Sequence, residues 1–192
     1  GRFLYSLSLC IEETAFSYYN NKKKQTMESI IKMALFVDSN ILFDAKECNV
    51  YKEFLASNNN VYIEATMFKN EILTPIGYRE ELVNCGLKTF DMTDDEFNIA
   101  TTIYNNNIHL SYYDCIAYTV SKIRNWILVT GDERLRKFAT KNGVQVHGFI
   151  WALQQCNLSE EKIKQILNQI ASGENMRRIP LNIFLNVFFP NK

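Results

Sequence analysis

Four acidic residues stand where a carboxylate could do chemistry: Asp38 in ALFVDSNI, Glu71 in FKNEILT, Asp114 in LSYYDCIAY and Asp132 in WILVTGDERL. The first and last share a pattern. Residues 34–41 are a short apolar run broken by Asp38 and Asn40, and residues 126–130 are a second such run that stops at Gly131 and Asp132. A strand buried in a parallel sheet reads as continuous apolar residues, and open α/β sheets bind ligands just beyond the carboxyl ends of their strands. Carboxylates repel one another unless something positive sits between them, and magnesium or manganese is held by a few carboxylates plus waters. Such a cluster suits hydrolysis of phosphodiesters, because the metal acidifies a water, orients it and offsets charge on the leaving oxygen. Asn40 and Thr130 add polar groups that can hold a carboxylate or a metal-bound water.

Each acid also has an ordinary explanation. Asp after a strand commonly caps a helix, and Glu on a helix is usually a solvated charge. If the two apolar strands are neighbours, however, Asp38 and Asp132 lie at one edge of the sheet. Asp114, at the third position of a helix opened by Ser111, would face the same side.

The elements that must position these groups follow from periodicity. From residue 34 onward strands alternate with helices, which implies right-handed crossovers and a parallel sheet. Residues 50–57 read as helix and 61–64 as a strand. Thr66 is the expected cap of a helix that carries Glu71 and ends near Pro75. Thr93 opens a helix with Asp94 and Asp95 in its first turn, and Phe97, Ala100 and Ile103 follow at helical spacing. Ser111 opens the next, with Ile116, Ala117 and Val120 below it. Then come the strand at 126–130, a helix at 133–141 stopped by Asn142 and Gly143, and a last strand at 144–147. Ser159 opens an amphipathic helix closed by Gly173, and Pro180 precedes a helical stretch at 181–189.

Residues 1–32 stand apart as a helical extension, or a segment foreign to the native start, with an amphipathic stretch at 7–19 and basic Lys22 to Lys24. Residues 33–150 form the expected main domain and 151–192 a C-terminal helical extension. The 192 residues carry no formal net charge, so any surface for a polyanion is local. Arg134, Lys137 and Lys141 share one face of the helix beside Asp132 and are the candidate residues for holding a polyanion. Lys122 and Arg124 are expected to complement the dipole of the helix they end. No apolar stretch approaches membrane-spanning length, and the start lacks a signal-peptide cleavage site. The five cysteines form no CxxC pair, which points to buried thiols in a reducing, cytoplasmic setting. His109 and His147 have no partner at ligand-like spacing and receive no role.

The ordered motifs VDSN, an acid on the helix after the second strand, LSYYDCIAYT and VTGDERLRKFATKNGVQV resemble the PIN-domain nucleases. Among these they are most similar to the small prokaryotic toxins of VapC-type toxin–antitoxin pairs and their uncharacterised relatives. The resemblance spans residues 34–148. It implies a Rossmann-like three-layer α/β domain with a central parallel sheet, and a Mg2+- or Mn2+-dependent endoribonuclease. It further implies an RNA substrate, an antitoxin partner and a homodimer. Asp38, Glu71, Asp114 and Asp132 match the family's four acids in order, as metal-binding and catalytic residues, with Asn40 and Thr130 at the accessory polar positions. The context of Glu71 lacks the usual small apolar residues, and Glu64 is a rival. A haloacid-dehalogenase-type phosphotransferase would need an acid where Asn40 stands, and a dinucleotide site would need glycines after the first strand. The remaining alternative is a PIN-like module that binds RNA or protein without cutting.

Overall fold

The computed structural model describes residues 33–58, 60–172 and 179–190. The amphipathic stretch at 7–19, the basic run at 22–24 and Gly173 lie outside the described residues. In chain order the elements are β1 (Leu35–Val37), α1 (Ser39–Glu47), α2 (Tyr51–Ser57), β2 (Val61–Glu64), α3 (Ala65–Glu71), α4 (Tyr78–Asn84) and β3 (Lys88–Phe90). There follow α5 (Asp94–Asn106), α6 (Tyr112–Ile123), β4 (Ile127–Val129), α7 (Glu133–Lys141), β5 (Val146–His147), α8 (Phe149–Gln155), α9 (Glu160–Ser172) and α10 (Leu181–Phe188).

All five strands are parallel, in the order β3-β2-β1-β4-β5. The chain therefore crosses the sheet one way from β1 to β3 and then returns to the other side of β1. Right-handed crossovers then put α1 to α4 on one face and α5 to α7 on the other. The packing follows this division. α6 lies on β1 and β4 and against α5, whereas α1 meets α2, α3 and α8. The result is three layers, as the alternating pattern implies, with β1 wholly buried at the centre.

The hydrophobic core is continuous from Phe36, Ile63 and Leu128 in the sheet through Phe54 to Leu153, Ile166 and Phe184. Residue 150, the expected end of the main domain, lies inside α8. The C-terminal helices thus complete the face begun by α1 and α2. Among the described residues no helix is long and apolar enough to cross a membrane. Cys48, Cys115 and Cys156 are buried, and Cys85 is half-buried.

Several elements depart from the sequence reading. Ile41, at the end of the apolar run, belongs to a helix absent from that reading: Ile41, Leu42 and Ala45 are buried on α1 at helical spacing. α4, β3 and α8 are further elements with no counterpart in that reading. β3 is an edge strand of three residues whose Lys88 and Thr89 are exposed, so it carries no apolar run. The cap of α3 is Glu64, not Thr66; its carboxylate accepts the Met67 amide hydrogen at 2.8 Å. That cap accounts for the rival acid. Arg124 does more than complement a dipole, because it pairs with buried Glu96 of α5. Lys122 donates to the Asn142 carbonyl at 2.8 Å and so joins the ends of α6 and α7.

Candidate active site

The sheet changes direction between β1 and β4, and the crevice outside the carboxyl ends of such a pair is where open α/β sheets take ligands. Val37 pairs with Val129 in register, and the Asp38 amide donates to the Val129 carbonyl at 3.0 Å. Asp38 and the segment Thr130 to Asp132 therefore emerge side by side.

Asp38 occupies the N-cap position of α1, yet its side chain makes no cap hydrogen bond. Its Oδ2 instead accepts from Asn40 Nδ2 at 2.5 Å and from the Thr130 hydroxyl at 2.6 Å. The other oxygen, Oδ1, has only the Ser39 hydroxyl, at 3.5 Å. An ordinary capping aspartate would turn inward to the helix amides. Asp38 is 8% exposed, and burial pushes its carboxyl up to about 6, against the hydrogen bond from Thr130; the charges of Asp114 and Glu71 raise it further.

Asn40 also binds across the crevice. Its Oδ1 accepts the Gly131 amide hydrogen at 2.9 Å. A Cβ on Gly131 would lie 3.2 Å from that oxygen, so glycine allows the close approach. Thr130, fully buried, links the two strand ends: its Oγ1 donates to Asp38 and accepts from the Asp132 amide at 3.0 Å.

Glu71 is the last residue of α3, half-buried, and its Oε2 is shielded from solvent without a hydrogen-bond partner. Burial raises its pKa, the Ser39 hydroxyl opposes this, and the Asp114 charge adds to the rise. Asp114 sits at the third position of α6 in a full capping box with Ser111, as the spacing predicts. One of its oxygens is thereby engaged. Beside these two acids, Asn70 donates to the Tyr113 hydroxyl at 3.0 Å and ties the end of α3 to the start of α6.

The structure thus brings Asp38, Glu71 and Asp114 within electrostatic reach of one another. Asp132 stands apart from that trio. Its Oδ1 caps α7 by accepting from the Leu135 amide at 2.8 Å, and it is not among the charges that perturb Asp38 or Glu71. Of the basic residues on α7, Arg134, Lys137 and Lys141 are all exposed, but Lys137 is paired with Glu133 one turn away. Ser39, which touches the trio, is a site residue that the sequence reading missed. Its signal was its place directly after Asp38, at the first position of a helix.

Carboxylates are the donors that a hard divalent cation takes. Asp114 and Glu71 raise the Asp38 pKa, Asp114 raises that of Glu71, and Glu71 keeps an orphaned buried oxygen, strains that a cation would relieve. Among the described residues, no three acidic, histidine or cysteine side chains stand close enough to ligate one ion as they are. No family model matches the sequence, and no curated protein does.

Proposed function

We propose that this protein is a Mg2+- or Mn2+-dependent endoribonuclease of the PIN-domain type. The observation that carries the reading is the Asp38 carboxylate: at a helix start, yet not capping it, buried among the charges of Glu71 and Asp114 at the sheet's switch point. Asp38, Glu71 and Asp114 would hold the metal, and Asp132 would complete the site from the β4 side. A metal held there supplies an acidified water and offsets charge on the leaving oxygen of a phosphodiester. The chain's own part is to fix Asp38. Asn40 and Thr130 both hold Oδ2, which leaves Oδ1 directed to the ligand. Arg134 and Lys141 would meet the polyanion. As implied by the same resemblance, the protein would act in the cytoplasm as the toxin of a toxin–antitoxin pair, as a homodimer inhibited by a small antitoxin.

A second reading is an RNA- or protein-binding module of the same fold that does not cut, in keeping with the lack, among the described residues, of three acidic, histidine or cysteine side chains grouped to hold an ion. The two are separated by incubating purified protein with a mixed RNA pool and Mn2+ or Mg2+, with and without EDTA. The nuclease reading expects internal cleavage that EDTA abolishes. A folded protein that binds RNA but cuts nothing with either metal would establish the second reading instead.

A further inference from the structure

A cleft of about 300 Å³ opens beside the carboxylate site, between the ends of β4 and β5 and the helices α8 and α10. Asp44, Gly131, Arg136, His147 and Trp151 line it on one side, and Ile183 of α10 on the other. Its volume lies at the lower end of the range for small-ligand sites. The cleft adjoins the acids through two hydrogen bonds: Gly131 to Asn40, and Asn40 to Asp38.

The wall carries an aromatic pair. The His147 and Trp151 rings stack with centroids 4.2 Å apart and planes within 9° of parallel, and both residues are half-buried. Burial and the nearby Arg136 cation both lower the His147 pKa, so the ring stays neutral at pH 7. Arg136 itself is exposed and makes no hydrogen bond or ion pair among the described residues. Its Nη1 lies 3.3 Å from where a Cβ would sit on Gly148, so that glycine clears room for the guanidinium against the strand end. Gly148 is also near the Thr130 carbonyl, at 3.8 Å on the same measure. A guanidinium with no hydrogen bond or ion pair among the described residues, a flat aromatic wall and an apolar opposite side are the parts of a site that holds a base by stacking and its phosphate by charge.

We propose that this cleft is a nucleotide subsite for single-stranded RNA, in which one base stacks on the His147–Trp151 pair and Arg136 takes the adjoining phosphate. The inference rests on the ribonuclease reading for the direction of the strand, which would run from the cleft across Gly131 to the acids. It extends that reading to residues outside the motifs that suggested it.

The test exploits the tryptophan count. The chain has two, and Trp126 stacks on Tyr62, where β2 and β4 flank the central strand. Wild type and Trp126→Phe are titrated in EDTA with a short single-stranded oligoribonucleotide while Trp fluorescence is followed. Both should quench saturably. Quenching should vanish in Trp151→Leu, and Arg136→Gln should bind roughly 10-fold more weakly with a shallower salt dependence. Arg136 is exposed, so its Gln variant tests the subsite even if Trp151→Leu folds poorly. Binding by fluorescence anisotropy that is equal in wild type and both variants, without quenching, would overturn the subsite. Cleavage in Mn2+ separates the two proposals. If wild type cuts and both variants cut with unchanged KM, the nuclease stands and the subsite falls. If RNA quenches Trp151 yet nothing is cut with either metal, the subsite stands and the nuclease falls.

Discussion

Asp38→Asn is expected to lose metal-dependent RNA cleavage by at least about 100-fold while making the metal-free protein more stable. The loss follows from removing the anionic group that Asn40 and Thr130 hold toward the ligand. The gain follows from burial. The Asp38 carboxyl is pushed from 3.8 to about 6, first by desolvation and then by the charges of Asp114 and Glu71. An acid whose folded pKa is raised favours folding below pH 3.8, where it is protonated in both states, relative to its effect above pH 6. That contribution is lost as pH rises from about 4 through 6. At neutral pH the ionised group costs on the order of 3 kcal/mol, which an amide avoids. The amide keeps an acceptor for Thr130 and Asn40 and gains donors beside Ser39 and the acids. Melting in EDTA across pH 4 to 8 should therefore show the two proteins alike at pH 4 and Asp38→Asn several degrees more stable at pH 7. Saturating Mn2+ should raise the wild-type Tm and leave the variant unchanged. A variant less stable than wild type at pH 7 in EDTA would remove the electrostatic argument for the site.

The second large effect lies far from any chemistry. Arg124→Ala is expected to destabilise the protein by about 3 kcal/mol, or roughly 6 to 12 °C in Tm. Glu96 is 3% exposed, and its two oxygens receive Arg124 Nε at 2.6 Å and Nη2 at 2.7 Å. One of them also closes the capping box by accepting from the Thr93 amide. Arg124 rests against Phe90 and Trp126, at 4.4 and 5.1 Å from the ring centroids. Removing it leaves a buried carboxylate with one amide donor. Arg124 holds the Glu96 carboxyl below its ordinary value of 4.5, so the pair stabilises the fold above that pH and its contribution is lost as pH falls through the folded value. Arg124→Lys should recover only part of the loss, since an ammonium cannot engage both oxygens. Thermal melts of the two variants at pH 7 check this, and an unchanged Tm for Arg124→Ala would show that water replaces the guanidinium.

Much of the frame was legible because it rests on local signals. Thr93 with Glu96, and Ser111 with Asp114, are reciprocal caps readable from a spacing of three, and both form. Leu35 to Val37 and Ile127 to Val129 were recognisable as buried strands because a parallel sheet covered on both faces needs no polar residue in them. What could not be read depends on distance in sequence. Arg124 and Glu96 lie on different helices, so no helical spacing links them. Asp132 and Asp38 look alike after their strands, yet one caps its helix and the other does not; the difference is made by Thr130 and Asn40 reaching across the crevice. The orphaned oxygen of Glu71 is a property of packing, invisible in FKNEILT. Trp151 and Arg136 line one cleft only because the return crossover brings β5 beside β4.

The unequal treatment of the two Asp38 oxygens bears on which ion the site would accept. Oδ2 takes two short hydrogen bonds, so a metal held there would meet Asp38 through Oδ1. Calcium reaches its high coordination number partly by gripping carboxylates with both oxygens, whereas magnesium and manganese suit sites that grip with one and keep their waters. A side chain clamped in this way acts as a filter for ionic size. Calcium should compete weakly with manganese in any measurement of binding or cutting, although both ions carry the same charge.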